Sequence, residues 1–79
     1  QIVTLSFPNS LVGVVLDRFG KDVSLQKLAG ERFAVHVKVM VSRQFYGWLA
    51  GIGKDVKVMA PESVREGYRG HLKEILENN

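Results

Sequence analysis

Seventy-nine residues give room for one domain with a thin core, since a chain this short hides only about 60% of its unfolded surface. Hydrophobic residues at 46% and charged ones at 24% exclude a disordered chain, and the lack of cysteine excludes disulfides and thiolate metal sites, which fits a reducing cytosol. The net charge of +3 is spread over both halves without a basic run, so contact with an anionic partner is permitted but a dedicated duplex-DNA reader is not indicated.

The opening "IVTLSF" alternates, with Val3, Leu5 and Phe7 on one face and Ile2, Thr4 and Ser6 on the other, as a strand does. Pro8-Asn9-Ser10 breaks it and offers Asn9 or Ser10 as the N-cap of a helix that carries Val12, Val15, Leu16 and Phe19 at helical spacing and is closed by Gly20. A short strand follows at Val23–Leu28. Ala29-Gly30-Glu31 then makes a hairpin turn in which Gly30 takes positive φ. Phe33, Val35, Val37, Val39 and Val41 alternate with Ala34, His36, Lys38, Met40 and Ser42, and this run of β-branched residues predicts a long strand.

Ser42 is placed to cap a second helix, Arg43 to Ile52, whose apolar stripe is Phe45, Trp48, Leu49 and Ile52. The three glycines and lysine of "GWLAGIGK" invite a phosphate-loop reading. It fails on spacing: five residues separate Gly47 from Gly53, and Lys54 is followed by Asp55 where Ser or Thr should reach magnesium. Gly53 is instead expected as a left-handed helix C-cap. A fourth strand turns Val56 and Val58 inward and Lys57 and Met59 outward. Pro61 then suits the first turn of a third helix, with Val64, Tyr68, Leu72 and Ile75 or Leu76 as its buried stripe.

The order β-α-β-β-α-β-α, with right-handed crossovers, predicts an α+β ferredoxin-like sandwich with an additional C-terminal helix, spanning residues 1–79 as a single domain. Its open sheet face would show Thr4, Ser6, His36, Lys38, Met40, Lys57 and Met59. RNA recognition by base stacking is not expected on that face, because Phe7 and Phe33 fall in register with the buried valines. Met40 and Met59 there would form a patch suited to a partner or a second copy.

Chemistry is sparse. His36 and His71 lie on different elements without a carboxylate at ligand spacing, so no metal is expected. Ser6, Ser10, Ser24, Ser42 and Ser63 occupy strand, cap or first-turn positions, none in a Gly-x-Ser-x-Gly elbow. No nucleophile, base and orienting group can be assembled, so neither catalysis nor a cofactor is expected. Arg65 stands near the start of the third helix, where the helix dipole disfavours a cation and Glu62 and Glu66 offset it. Trp48 is expected in the core, and Gly30, Trp48, Gly53 and Pro61 are read as structural residues.

The run from Trp48 to Arg65, W-L-x-x-I-G-x-x-V-x-V-x-x-P-x-x-V-R, resembles the C-terminal extension (WCX) domain of the WYL-type bacterial transcriptional regulators. "VTLSF" before a helix ending in Phe19-Gly20, and the Gly30 hairpin leading into a valine-rich strand, extend the resemblance over nearly the whole chain. Ile52 stands where that family usually has an aromatic residue or leucine.

The resemblance implies a ferredoxin-like domain that follows a winged helix-turn-helix and a WYL domain in a cytoplasmic regulator. Gln1, entering a strand directly, fits a domain excised from such a longer chain. It further implies effector sensing or homodimer formation, with duplex DNA contacted only through the N-terminal domain and no membrane association. In some members this region senses single-stranded DNA; in others the small ligand is unknown. Here His36, Lys38, Met40, Arg43, Lys57, Met59 and Arg65 are the residues expected to meet an effector or partner. The alternative with the same element order is an ACT-like small-molecule sensor, which "FPNSL" matches only loosely because the turn glycine is missing.

Overall fold

The computed structural model describes all of residues 1–79. β1 (Ile2–Pro8) points Val3, Leu5 and Phe7 to one side, where all three are fully buried. It pairs antiparallel along its length with β3 (Arg32–Lys38), which sets Val3 opposite Val37, Leu5 opposite Val35 and Phe7 opposite Phe33. β2 (Ser24–Leu28) joins the outer side of β3 through the expected hairpin. β4 (Lys57–Ala60) joins the other side of β1, with a bulge opposite Thr4 and Leu5. The result is one four-stranded antiparallel sheet in the order β2-β3-β1-β4.

Three helices cover the face that carries Val3, Leu5 and Phe7. α1 (Val12–Phe19) contributes Val15, α2 (Arg43–Ile52) contributes Phe45 and Leu49, and α3 (Glu62–Glu77) contributes Val64 to one core with the strand residues. The Phe7 and Phe33 rings stack at 5.6 Å, as neighbouring rings across an antiparallel pair are able to do. Trp48 stands edge-on to Phe19 at 5.3 Å and to Phe7 at 6.3 Å, with the Arg18 guanidinium 5.2 Å from its ring centre. It packs against the core while only partly buried, and the cation covers its outer side.

Several local expectations change. Neither Asn9 nor Ser10 caps α1: the two residues form a 3-10 turn with Leu11, and Leu11 stands at the N-cap position without a side-chain hydrogen bond. The turn is held instead by the Asn9 amide donating to the Glu31 carbonyl at 2.9 Å, and Val12 stays exposed. β3 stops at Lys38. Val39 still exchanges backbone bonds with Gln1, but Val39 to Val41 are taken up in turning toward Ser42, whose hydroxyl accepts from the Phe45 amide at 3.2 Å as expected.

Gly53 has φ 121° and ψ −167°, so it has positive φ but lies in the extended glycine region, not the left-handed helical one. Gly30 takes φ 73°, and Glu31 beside it also takes positive φ. Pro61 sits one residue before the first turn of α3, at its N-cap.

The largest departure is in α3. Val64 is buried and Tyr68 half-buried, but Leu72, Ile75 and Leu76 are 38%, 49% and 76% exposed. α2 has 10 residues and α3 has 16. At about 1.5 Å per residue, α3 therefore extends roughly 9 Å further than its neighbour. Val64 anchors its start in the core, and Tyr46 of α2 packs further along, its ring 5.8 Å from Tyr68 and 5.5 Å from His71. The Tyr46 hydroxyl occupies the space where a Cβ at Gly67 would stand.

Candidate functional site

The sheet face away from the helices is more self-contained than alternation implies. Thr4 Oγ1 and His36 Nδ1 lie 2.9 Å apart across β1 and β3, and His36 Nε2 lies 3.4 Å from Gln26 Oε1 on β2. Ser6, expected on this open face, is only 3% exposed. Arg32 covers it. The Arg32 Nε donates to Ser6 Oγ at 2.9 Å, and one terminal nitrogen donates to the Ser6 carbonyl at 3.0 Å and to the Asp55 carbonyl at 2.7 Å.

One guanidinium therefore ties β3, β1 and the approach to β4 together through its rigid fork of donors. Sequence reading overlooked Arg32. A serine in the middle of an apolar strand was the only local sign that something must cover it.

The two methionines do not form one patch. Met40 lies beyond the end of β3 and is 86% exposed, whereas Met59 is at the β4 bulge, with β1 between those strands. His36 and Lys38 are exposed on β3, and Arg43 is exposed at the start of α2.

Lys57, Met59 and Arg65 do converge, in a groove of about 500 Å³ between β4 and α3. The β4 side is lined by Val56, Lys57, Val58 and Met59, and the α3 side by Arg65, Tyr68, Arg69 and Leu72. The α3 residues follow at intervals of three, one and three, a single helix stripe. Burial holds the Tyr68 phenol above the ordinary tyrosine value by keeping its charged form from water, so it is neutral at physiological pH. Arg69, Tyr68 and Leu72 were missed as site residues. Arg69 follows Arg65 by one helical turn, which was the available signal.

The groove holds three cationic side chains and no carboxylate. It offers charge and apolar contact, suited to binding an anion-bearing ligand. No three His, Cys, Asp or Glu side chains converge on a point that could hold a metal, and no helix is long and apolar enough to cross a membrane.

Among known families, the model of the WCX domain matches residues 2–76. No curated protein and no solved structure matches the chain.

Proposed function

The chain belongs to the WCX domain family, and on that premise we propose that it is the regulatory C-terminal module of a WYL-type transcription factor. In this reading it is one domain of a longer cytoplasmic regulator, beside WYL and helix-turn-helix domains. It acts through effector sensing or self-association, with neither catalysis nor duplex-DNA reading. The observation that carries the reading is the family match over residues 2–76.

The topology is compatible with it. Taken from β4, the strand order is 4-1-3-2, all antiparallel with the helices on one face, and we read this as the ferredoxin-like arrangement. The charge also supports it: the net charge is only +3, and the three cations that converge in the β4 groove are fewer than the roughly 6–10 phosphate contacts that drive strong, salt-dependent duplex binding. Two sheet edges, β2 and β4, are free to meet a second copy.

The test has two parts. In a reporter strain, deleting this segment from the parent regulator should abolish the response to inducing conditions while operator binding persists. An unchanged response would overturn the regulatory assignment, and loss of operator binding without loss of assembly would overturn the exclusion of duplex-DNA reading. Sedimentation of the chain should show mass rising with concentration; a strict monomer, with unaltered assembly of the deleted regulator, removes the self-association arm.

A further inference from the structure

The β4 groove has a geometry that its side chains alone do not explain. Val56, Lys57, Val58 and Met59 are consecutive, and all four line it. Val56 and Val58 are buried while Lys57 between them is exposed, and Met59 lies at the bulge, so what these four share is the outer edge of the chain itself. β4 is the last strand of the sheet on that side, and its outward N–H and C=O groups have no strand neighbour. Facing this edge is the α3 stripe of Arg65, Tyr68, Arg69 and Leu72.

The dimensions agree. The four residues of β4 present an edge of roughly 14 Å at about 3.4 Å per residue, and Arg65 to Leu72 spans about 10 Å of helix. The two walls are thus similar in length, and they enclose a groove of about 500 Å³.

We propose that this groove accepts a fifth strand, supplied by an acidic extended peptide segment of a partner protein, which pairs with the free edge of β4. Backbone hydrogen bonds to the edge supply the register. Carboxylates on one side of the added strand meet Arg65 and Arg69, and a carboxylate on the other meets Lys57. Apolar side chains of the peptide lie against Met59 and Leu72. Acidity is required because the lining has three cations and no anion.

A single-stranded nucleic acid would satisfy the cations as well, but it binds chiefly by stacking bases on free aromatic faces. Tyr68 is the only aromatic residue in the groove, and its ring is already packed on Tyr46 at 5.8 Å. A ladder of peptide donors and acceptors matches the strand edge, and a sugar-phosphate chain does not.

The test uses the 79-residue chain and a fluorescein-labelled peptide about eight residues long, built of Glu-Glu-Val-Val repeats so that both sides of the strand carry carboxylates and apolar side chains. Three comparison ligands accompany it: the same peptide N-methylated at alternate amides, its lysine-for-glutamate counterpart, and an oligothymidine. The acidic peptide should bind by fluorescence anisotropy, with amide shifts confined to Lys57–Ala60 and Arg65–Leu72. N-methylation, which keeps the charge and removes edge donors, should weaken binding about tenfold or more.

The pair Arg65→Glu and Arg69→Glu should weaken it by a similar factor, with far-UV dichroism and Tm unchanged; Lys57→Glu is the independent third change. Binding that survives N-methylation, shifts elsewhere on the chain, equal affinity for the lysine peptide, or no binding at millimolar peptide would overturn the proposal. So would oligothymidine occupying the same groove more tightly than the peptide.

Discussion

Gly67 is where the packing of α3 on α2 is most exposed to a single methyl group. A Cβ built there would overlap the Tyr46 hydroxyl and come within 3.2 Å of its Cζ. The Tyr46 ring has little freedom to withdraw, being flanked by Phe45 at 6.1 Å, Tyr68 at 5.8 Å and His71 at 5.5 Å. Overfilling a packed contact costs about 1–3 kcal/mol, while replacing a helical glycine by alanine returns about 1 kcal/mol of propensity. Gly67→Ala should therefore fall between about neutral and 2 kcal/mol destabilising.

Gly70 is the internal control, one turn further along the same helix, exposed and with nothing near its Cβ position. Gly70→Ala should stabilise by roughly 0.5–1 kcal/mol. Urea unfolding with a common slope would measure both, and each kcal/mol should move Tm by about 4–8 °C in a domain this small. Tyr46→Phe, which removes the overlapping oxygen, should recover part of the Gly67→Ala loss. Equal stabilisation by the two alanines would refute the close contact.

Three further outcomes are expected. Gly53→Ala should destabilise by about 1–3 kcal/mol because only glycine readily adopts its backbone angles, whereas the exposed Lys54→Ala should stay within about 0.5 kcal/mol; both are read by thermal melts. Arg32→Met should cost roughly 1–3 kcal/mol by leaving the buried Ser6 hydroxyl unpaired, and loss of amide exchange protection along β1 and β4 should accompany it. Tyr68 has a pKa raised by burial, so its neutral form favours the fold. That contribution is complete below the ordinary tyrosine value of about 10 and is lost as pH rises through the higher folded value. Tyr68→Phe should flatten the alkaline fall in stability, measured by urea midpoints between neutral and strongly alkaline pH.

The features legible in the sequence are those whose cause is local. Alternation in β1 and in Phe33 to Val37 follows from a side-chain period of two against a one-sided core, so Val3, Leu5, Phe7, Val35 and Val37 were readable as buried. Ser42 and the bounds of α2 were readable because a cap and its helix lie within four residues of each other. Gly30 and Gly53 announced positive φ for the same reason, although the ψ that separates a left-handed cap from extended glycine did not show. The spacing of Trp48, Gly53, Val56, Val58, Pro61 and Val64 carried the family.

Tertiary structure decided what depends on elements distant in sequence. The amphipathic pattern of α3 alone would bury Leu72, Ile75 and Leu76, but Leu72 faces the β4 groove, and Ile75 and Leu76 lie in the last turns of a helix six residues longer than α2. Arg32 reaches Ser6 and Asp55 across separations of 26 and 23 residues, and no periodicity encodes such a reach. The methionines separated because β1 inserts between β3 and β4. Lys57, Met59 and Arg65 came together with Arg69 because β4 is an edge strand and α3 runs beside it. Helical and strand periods fix which way a side chain points within its own element; which other element it meets is set by strand order and relative length, and those exist only in the folded chain.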